Sequence, residues 1–209
     1  MLRKLVSINF SSSDLSDDVI KSIAGDVAKQ VGELLPENLE AENIYAEALE
    51  EKSEVSFDDE TLVVIGVEAR RSRVPMECIK KMQYLNGNGA IAIVVVTYNT
   101  QSYGRSLYEL YTFAEDQGFK VVSAAAFVAD YLDYPVIKNL LQPRPDVKDY
   151  DLINAFSCLT THKLQRVCGT DVGFLKCKIM PLQIETKRLG LPKSIAILSA
   201  RRREPEWFI

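Results

Sequence analysis

Two continuous apolar runs constrain the fold of this chain more than any other feature. Residues 61–67 and 90–98 are mostly aliphatic and lack the alternation of a strand that faces water on one side. Such runs are typical of parallel strands that helices cover on both faces. Residues 5–10 and 119–125 add strands of similar character. The sequence therefore predicts a largely buried sheet.

Amphipathic segments separate these runs. Val19, Ile23, Val27 and Val31 form an apolar stripe at helical spacing, in a helix that we expect to stop before Pro36. A short helix is predicted through Ile79 and Met82, another along Leu107, Leu110 and Ala114 with Gly118 as its C-cap, and a late helix at 149–164. A weak strand two rests on the alternation of apolar side chains at 44, 46 and 48.

Strands that alternate with helices indicate a parallel sheet with right-handed crossovers. Five strands favour a flavodoxin-like doubly wound α/β sheet, order 2-1-3-4-5, over a Rossmann dinucleotide fold. We expect residues 1–165 to form this domain and residues 166–209 to be a C-terminal extension. The extension contains a strand-like run at 195–198 and then Arg201, Arg202 and Arg203 close to Trp207 and Phe208.

Composition and charge exclude several classes of protein. Apolar residues make up 47% and charged residues 26% of the 209, which excludes a broadly disordered chain. Within the net charge of −4, residues 33–60 contain eleven acids and one base. We therefore predict no nucleic-acid binding, since that requires a concentrated cationic surface. The acidic segment is either a solvated face or a surface that steers a basic partner.

The lengths of the apolar runs bear on localisation, and the positions of the cysteines and the histidine bear on metal and hydrolase sites. The apolar run at the amino end is too short for a secretory signal, and the longest apolar stretch is strand-sized. We therefore expect a cytoplasmic protein with no membrane association. Cys78, Cys158, Cys168 and Cys177 form no C-x-x-C pair, which argues against a metal site. His162, the one histidine, has no hydrolase motif in register.

In a doubly wound sheet, ligands bind beyond the carboxyl ends of the strands. The segments predicted there are residues 11–18, 68–75 and 99–104. The serines of the first segment either bind a phosphate or cap a helix. The arginines of the second either bind an anionic or planar ligand or are ordinary exposed side chains. Tyr98, where a strand ends, is either an aromatic-ligand contact or a packing residue.

Several short motifs occur in the order and spacing of one known family. They are Phe10-Ser11, Gly66 followed by Arg73-Val74-Pro75, residues 96–99 (Val-Thr-Tyr-Asn) followed by Tyr103, Gly118-Phe119, and Arg144-Pro145-Asp146. Over residues 4–165 the chain resembles the flavodoxin-like domains of microbial proteins in which such a domain is often fused to a two-cluster ferredoxin module. The resemblance implies an FMN-binding flavoprotein that transfers electrons to or from a separate redox protein, with a homo-oligomer left open.

The resemblance also implies the cofactor site. The phosphate would bind at the serines of the first segment, and the remaining candidates would border the flavin ring. The full set is Ser11, Ser12, Ser13, Ser16, Arg70, Arg71, Ser72, Arg73, Tyr98, Asn99, Tyr103 and Gly104.

The sequence departs from the family at both flavin loops. The family's Thr-Gly-Asn-Thr is replaced by Ser and Asp residues, and its Pro-Val-Tyr-x-Gly-Arg by the stretch from Glu68 to Arg73. No cysteine-rich ferredoxin module is present in this sequence. An alternative function is therefore a flavodoxin-like scaffold that has lost FMN and acts as a binding or assembly protein.

Overall fold

A computed structural model describes residues 2–10, 14–35, 39–45, 54–98, 102–129 and 145–167. The main sheet contains five parallel strands in the order β2-β1-β4-β6-β7, and a small second sheet pairs β3 with β5. The strands are β1 (Lys4–Phe10), β2 (Glu40–Tyr45), β3 (Val55–Ser56), β4 (Thr61–Glu68), β5 (Leu85–Asn86), β6 (Ile91–Tyr98) and β7 (Lys120–Val128). The helices are α1 (Asp14–Leu34), α2 (Met76–Met82), α3 (Ser106–Asp116) and α4 (Val147–Val167).

This order confirms the predicted flavodoxin-like sheet, since the five main strands in chain order read 2-1-3-4-5. Every residue of β4 and of β6 is buried. Alternate residues of β4 face different cores: Val63 and Ile65 pack with α3, whereas Leu62 and Val64 pack with α1 and α4. The uninterrupted apolar runs therefore reflect coverage of the sheet on both faces.

Gly66 allows α1 to approach the centre of the sheet. A Cβ built at this position would lie 2.7 Å from the Cβ of Ala24 and 2.7 Å from Oδ1 of Asn9. Both neighbours are buried, at 0% and 4% exposure. A larger side chain in the middle of β4 would therefore force α1 away from the sheet.

Besides shifts of one to three residues at other strand and helix ends, three predicted boundaries differ from the structure. β2 spans Glu40–Tyr45, so the expected strand at 44–48 began too late; residues 46 and 48 lie outside the described residues. The apolar signal was weak because the β2 side chains from 40 to 43 are exposed. α1 begins at Asp14, which puts Ser16 in its first turn rather than in a loop.

The third difference is at the end of the domain. α4 continues to Val167, two residues past the expected domain boundary at 165. Residues 168–209, almost all of the predicted extension, lie outside the described residues. Within the described part of the chain, no helix combines the length and apolar character needed to cross a membrane.

Candidate functional site

A tight hairpin follows β4 at the carboxyl edge of the sheet. The backbone N–H of Arg70 donates to the carbonyl of Arg73 at 2.9 Å, and the reverse bond is 3.0 Å. The two residues between them, Arg71 and Ser72, have φ values of 49° and 64°. Turns of this kind usually contain glycine, asparagine or aspartate, because other side chains are strained at positive φ. The predicted arginine loop is therefore a defined hairpin.

The hairpin is joined to the loop before α3 by two hydrogen bonds and one close approach, and a third hydrogen bond lies within that loop. Ser72 Oγ donates to the Ser102 carbonyl at 3.2 Å, and the Arg105 N–H donates to the Ser72 carbonyl at 3.0 Å. The Gly104 N–H donates to Ser102 Oγ at 3.0 Å. Gly104 has φ of +53°, and a Cβ there would lie 2.3 Å from Ser72 Cβ. Ser72 and Gly104, both predicted ligand residues, thus join the two loops.

Two of the three hairpin arginines contact carboxylates. Arg73 forms an ion pair with Glu109 on α3, whose other carboxylate oxygen accepts the Val74 N–H at 3.1 Å. Arg70 Nε lies 3.4 Å from Glu68 Oε2, and the Glu68 side chain is 10% exposed. Arg71 at the tip is exposed. Among the described residues, Arg71 is therefore the hairpin arginine whose guanidinium forms no ion pair with a carboxylate.

Tyr98 and Tyr103 pack against each other in the core. Their ring centroids are 5.3 Å apart at an interplanar angle of 66°, and they are 5% and 8% exposed. Burial raises the pKa of Tyr103, with a smaller contribution from Tyr98. This edge-to-face arrangement is the packing alternative for Tyr98, and it leaves neither ring face open for stacking on a ligand.

The first predicted segment can be placed only in part. Ser11, Ser12, Ser13 and Asn99 lie outside the described residues, whereas Ser16 lies in the first turn of α1. That turn comes soon after the carboxyl end of β1, and β1 is paired with β4, which leads into the arginine hairpin. Chain connections leave β1 and β4 in opposite directions at this point. It is therefore the switch point where ligands bind in doubly wound sheets.

Sequence reasoning missed several residues that organise this edge. Glu109 lies on α3, where an acid normally indicates a solvated face, and its partner Arg73 is 36 positions away. Asn9 Oδ1 is buried and has no hydrogen-bond partner among the described residues. Cys78 is a buried residue of α2, the helix that follows the hairpin; burial, and secondarily Glu68, raise its pKa to about 12. No local motif signals these long-range contacts.

Neither protein-family models nor curated proteins match the sequence. Solved structures do match. An NADH:FMN oxidoreductase covers 77% of this chain and 89% of its own, at 13% identity and a TM-score of 0.52. Flavodoxin 1 from Bacillus cereus covers 76% and 97%, at 18% identity and a TM-score of 0.51.

A third similar structure is the rubredoxin oxygen:oxidoreductase from Desulfovibrio gigas, at 12% identity and a TM-score of 0.51. The match covers 81% of this chain but only 38% of that protein. At such identities the likeness establishes the flavodoxin-like fold and leaves the function to the residues of the site.

Proposed function

We propose that this chain binds FMN non-covalently at the carboxyl edge of its sheet and transfers electrons between FMN and a separate redox protein. The observation behind the proposal is the anchored arginine hairpin at the β1–β4 switch point, beside the first turn of α1. The fold is that of flavodoxins, and one structural neighbour is named as an oxidoreductase of FMN. The partner is a protein, with no role for nucleic acid or membrane.

The helix dipole of α1 and the exposed Arg71 favour FMN by charge, whereas Asp14, Asp17 and Asp18 in the first turns of the same helix oppose a phosphate. The amino end of α1 presents the positive end of a helix dipole, which favours a phosphate. The serines at 11, 12, 13 and 16 would supply hydroxyl donors there. Arg71, exposed at the hairpin tip, would approach the ring, where a guanidinium can both stack and stabilise negative charge. FMN itself supplies the electron-transfer chemistry.

The ring contacts would differ from those that the two tyrosines suggest. Because Tyr98 and Tyr103 are buried against each other, they would form the floor below the ligand rather than a cover over it. The planar guanidinium of Arg71 is the described group suited to that covering position. The backbone of the hairpin is already fixed by Ser72, Gly104 and Glu109, so ligand binding would order few additional residues.

An FMN titration of the ligand-free protein, followed by flavin fluorescence, tests this proposal. We expect saturable quenching at micromolar FMN. Arg71→Ala should raise the Kd at least fivefold, whereas Arg3→Ala, an exposed arginine at the opposite edge of the sheet, should leave it unchanged. Riboflavin, which lacks the phosphate, should bind more weakly than FMN. Absence of saturable quenching by the wild-type protein contradicts the proposal.

The second candidate function is a flavodoxin-like scaffold without FMN that binds other proteins. The specific observation in its favour is the mutual packing of Tyr98 and Tyr103, which removes both rings from a ligand-facing position. Glu68, a carboxylate at the end of β4, adds negative charge close to the same edge. A protein that fails to bind FMN yet retains its fold would favour this function.

A further inference from the structure

β2 is far less covered than the strand beside it. From residue 40 to 43 all β2 side chains are exposed, whereas β1 is buried from residue 5 to 10. Of the described strands, only β1 pairs with β2, so the outer edge of β2 is open. Parallel sheets are normally covered on both faces, and open edges readily pair with another strand. β2 is therefore a site where a further segment can add.

A groove of about 630 Å³ lies on one face of this edge. Its floor includes Leu5 and the Ala41 that pairs with it, and its wall is the carboxyl half of α1. Two positions of that wall are glycines, Gly25 and Gly32, and a Cβ built at Gly25 has no neighbour within 4 Å. α1 packs on β1 and β4, which leaves the β2 side of this face open. The groove thus has room for side chains.

The edge of β2 offers main-chain groups along this groove. The Glu40 N–H donates to the Arg3 carbonyl at 3.0 Å, on the β1 side. Because N–H groups alternate in direction along a strand, those of Ala41 and Asn43 point to the open edge. An extended segment placed there would form main-chain hydrogen bonds and insert alternate side chains into the groove.

The chain leaves α4 close to this groove. Near the end of α4, the Gln165 side chain donates from Nε2 to the Leu34 carbonyl, at 3.5 Å, at the end of α1. Leu35 and Leu39, which follow α1, line the groove. α4 therefore ends on the groove side of the domain, and residues 168–209 follow it in the chain. Residues 168–194 span up to ~90 Å when extended, which is ample for a domain with a radius of gyration of ~15 Å.

The charge and composition of the C-terminal extension indicate which segment could occupy the groove beside β2. Residues 168–209 contain eight bases and four acids, in contrast to the eleven acids and one base of residues 33–60. β2 contributes Glu40 and Glu42 and no base. The extension contains several short apolar runs, and of these the partly β-branched run 195–198 is followed by Arg201, Arg202 and Arg203. This run has the length of an edge strand, and the three arginines that follow it are opposite in charge to Glu40 of β2.

We propose that residues 195–203 of this chain add to the open edge of β2, with their apolar side chains in the α1–β2 groove and their arginines attracted by Glu40 and Glu42 of β2. The proposal concerns the side of the domain away from the arginine hairpin and does not depend on FMN binding.

Hydrogen–deuterium exchange of the full-length protein tests it. We expect the peptide that covers residues 40–45 to exchange slowly in the wild type. Ile197→Asp, and separately Arg201→Glu with Arg202→Glu and Arg203→Glu, should each accelerate its exchange at least tenfold. The matched control, Lys187→Glu with Arg188→Glu, changes charge elsewhere in the extension and should have no effect. Exchange of residues 120–128 in β7 should be unchanged in all variants.

Two results would overturn the proposal. Equal exchange of residues 40–45 in the wild type and in Ile197→Asp would mean that 195–203 does not cover β2. Slow exchange that is lost on dilution would assign the edge to a second copy of the chain instead, because an intrachain contact is independent of protein concentration.

Discussion

The interior of the sheet and the loop pair at its carboxyl edge are stabilised in different ways. The interior, β4 and β6 with their covering helices, consists of aliphatic side chains packed on two faces. The loop pair, residues 70–73 and 102–105, is a backbone structure joined by hydrogen bonds, one ion-paired glutamate and one glycine. The interior therefore determines stability, whereas the loop pair determines which cationic groups face a ligand.

The largest effect is expected in the interior. Ile65→Ala removes a fully buried side chain from the centre of β4 and should lower the free energy of unfolding by about 2–5 kcal/mol. Val147→Ala, at a side chain that is 78% exposed, is the control and should change it by less than ~0.5 kcal/mol. Urea denaturation measures both. If Ile65→Ala lowers the free energy of unfolding by less than 1 kcal/mol, the interior does not determine stability more than the loop pair does.

The next effect is expected where the two loops touch. Gly104→Ala places a Cβ against Ser72 at a positive φ, so we expect a loss of roughly 1–3 kcal/mol and displacement of the hairpin. The same variant should weaken FMN binding, because the hairpin no longer has its fixed position. Val147→Ala, at an exposed position on α4 away from both loops, is again the control and should change the free energy of unfolding by less than ~0.5 kcal/mol. Equal stability of both variants would show that the loops are not in contact.

The stability of the protein should depend on pH through Cys78, a core residue whose pKa is raised by burial and by Glu68 at the carboxyl edge. Its pKa in the folded protein is about 12, raised from 9.0, so the folded state retains a proton that the unfolded state releases above pH 9. The free energy of unfolding should therefore fall as pH rises from 9 towards 12. Tyr103, whose pKa burial also raises, should act in the same direction above pH 10.

Denaturation of the wild type and of Cys78→Ala between pH 8 and pH 11 measures the Cys78 contribution. The variant should lose less stability across this range than the wild type. Parallel pH profiles for the two proteins would show that the thiol is not protected from ionisation in the folded state.

The smallest effect on stability is expected at the hairpin tip. Arg71→Ala removes an exposed side chain and should change the free energy of unfolding by less than ~0.5 kcal/mol. The same substitution should nevertheless raise the Kd for FMN at least fivefold. Arg71→Ala is thus the variant of this set that weakens FMN binding while leaving the free energy of unfolding almost unchanged. A variant that lost stability without losing affinity would assign Arg71 to the structure rather than to the ligand.

The same contrast explains what the sequence could predict. The interior strands followed from apolar periodicity, because coverage on both faces leaves a continuous run in β4 and β6. Their order followed from the number of strands and their alternation with helices. β2 was misplaced because its exposed, acidic side chains resemble those of a loop. The sequence named Arg73, Ser72 and Gly104 as ligand residues, but their observed contacts are with Glu109, Ser102 and each other. Such contacts join positions 30 or more residues apart and leave no local pattern.

The most direct test of the account is a titration of the isotope-labelled protein with FMN, followed by amide NMR chemical shifts. The account predicts saturable shifts in the amides of residues 70–73 and 102–105, with little change in β2 or along the groove beside it. Absence of saturable shifts, or shifts confined to β2 and α1, would contradict FMN binding at the carboxyl edge of the sheet.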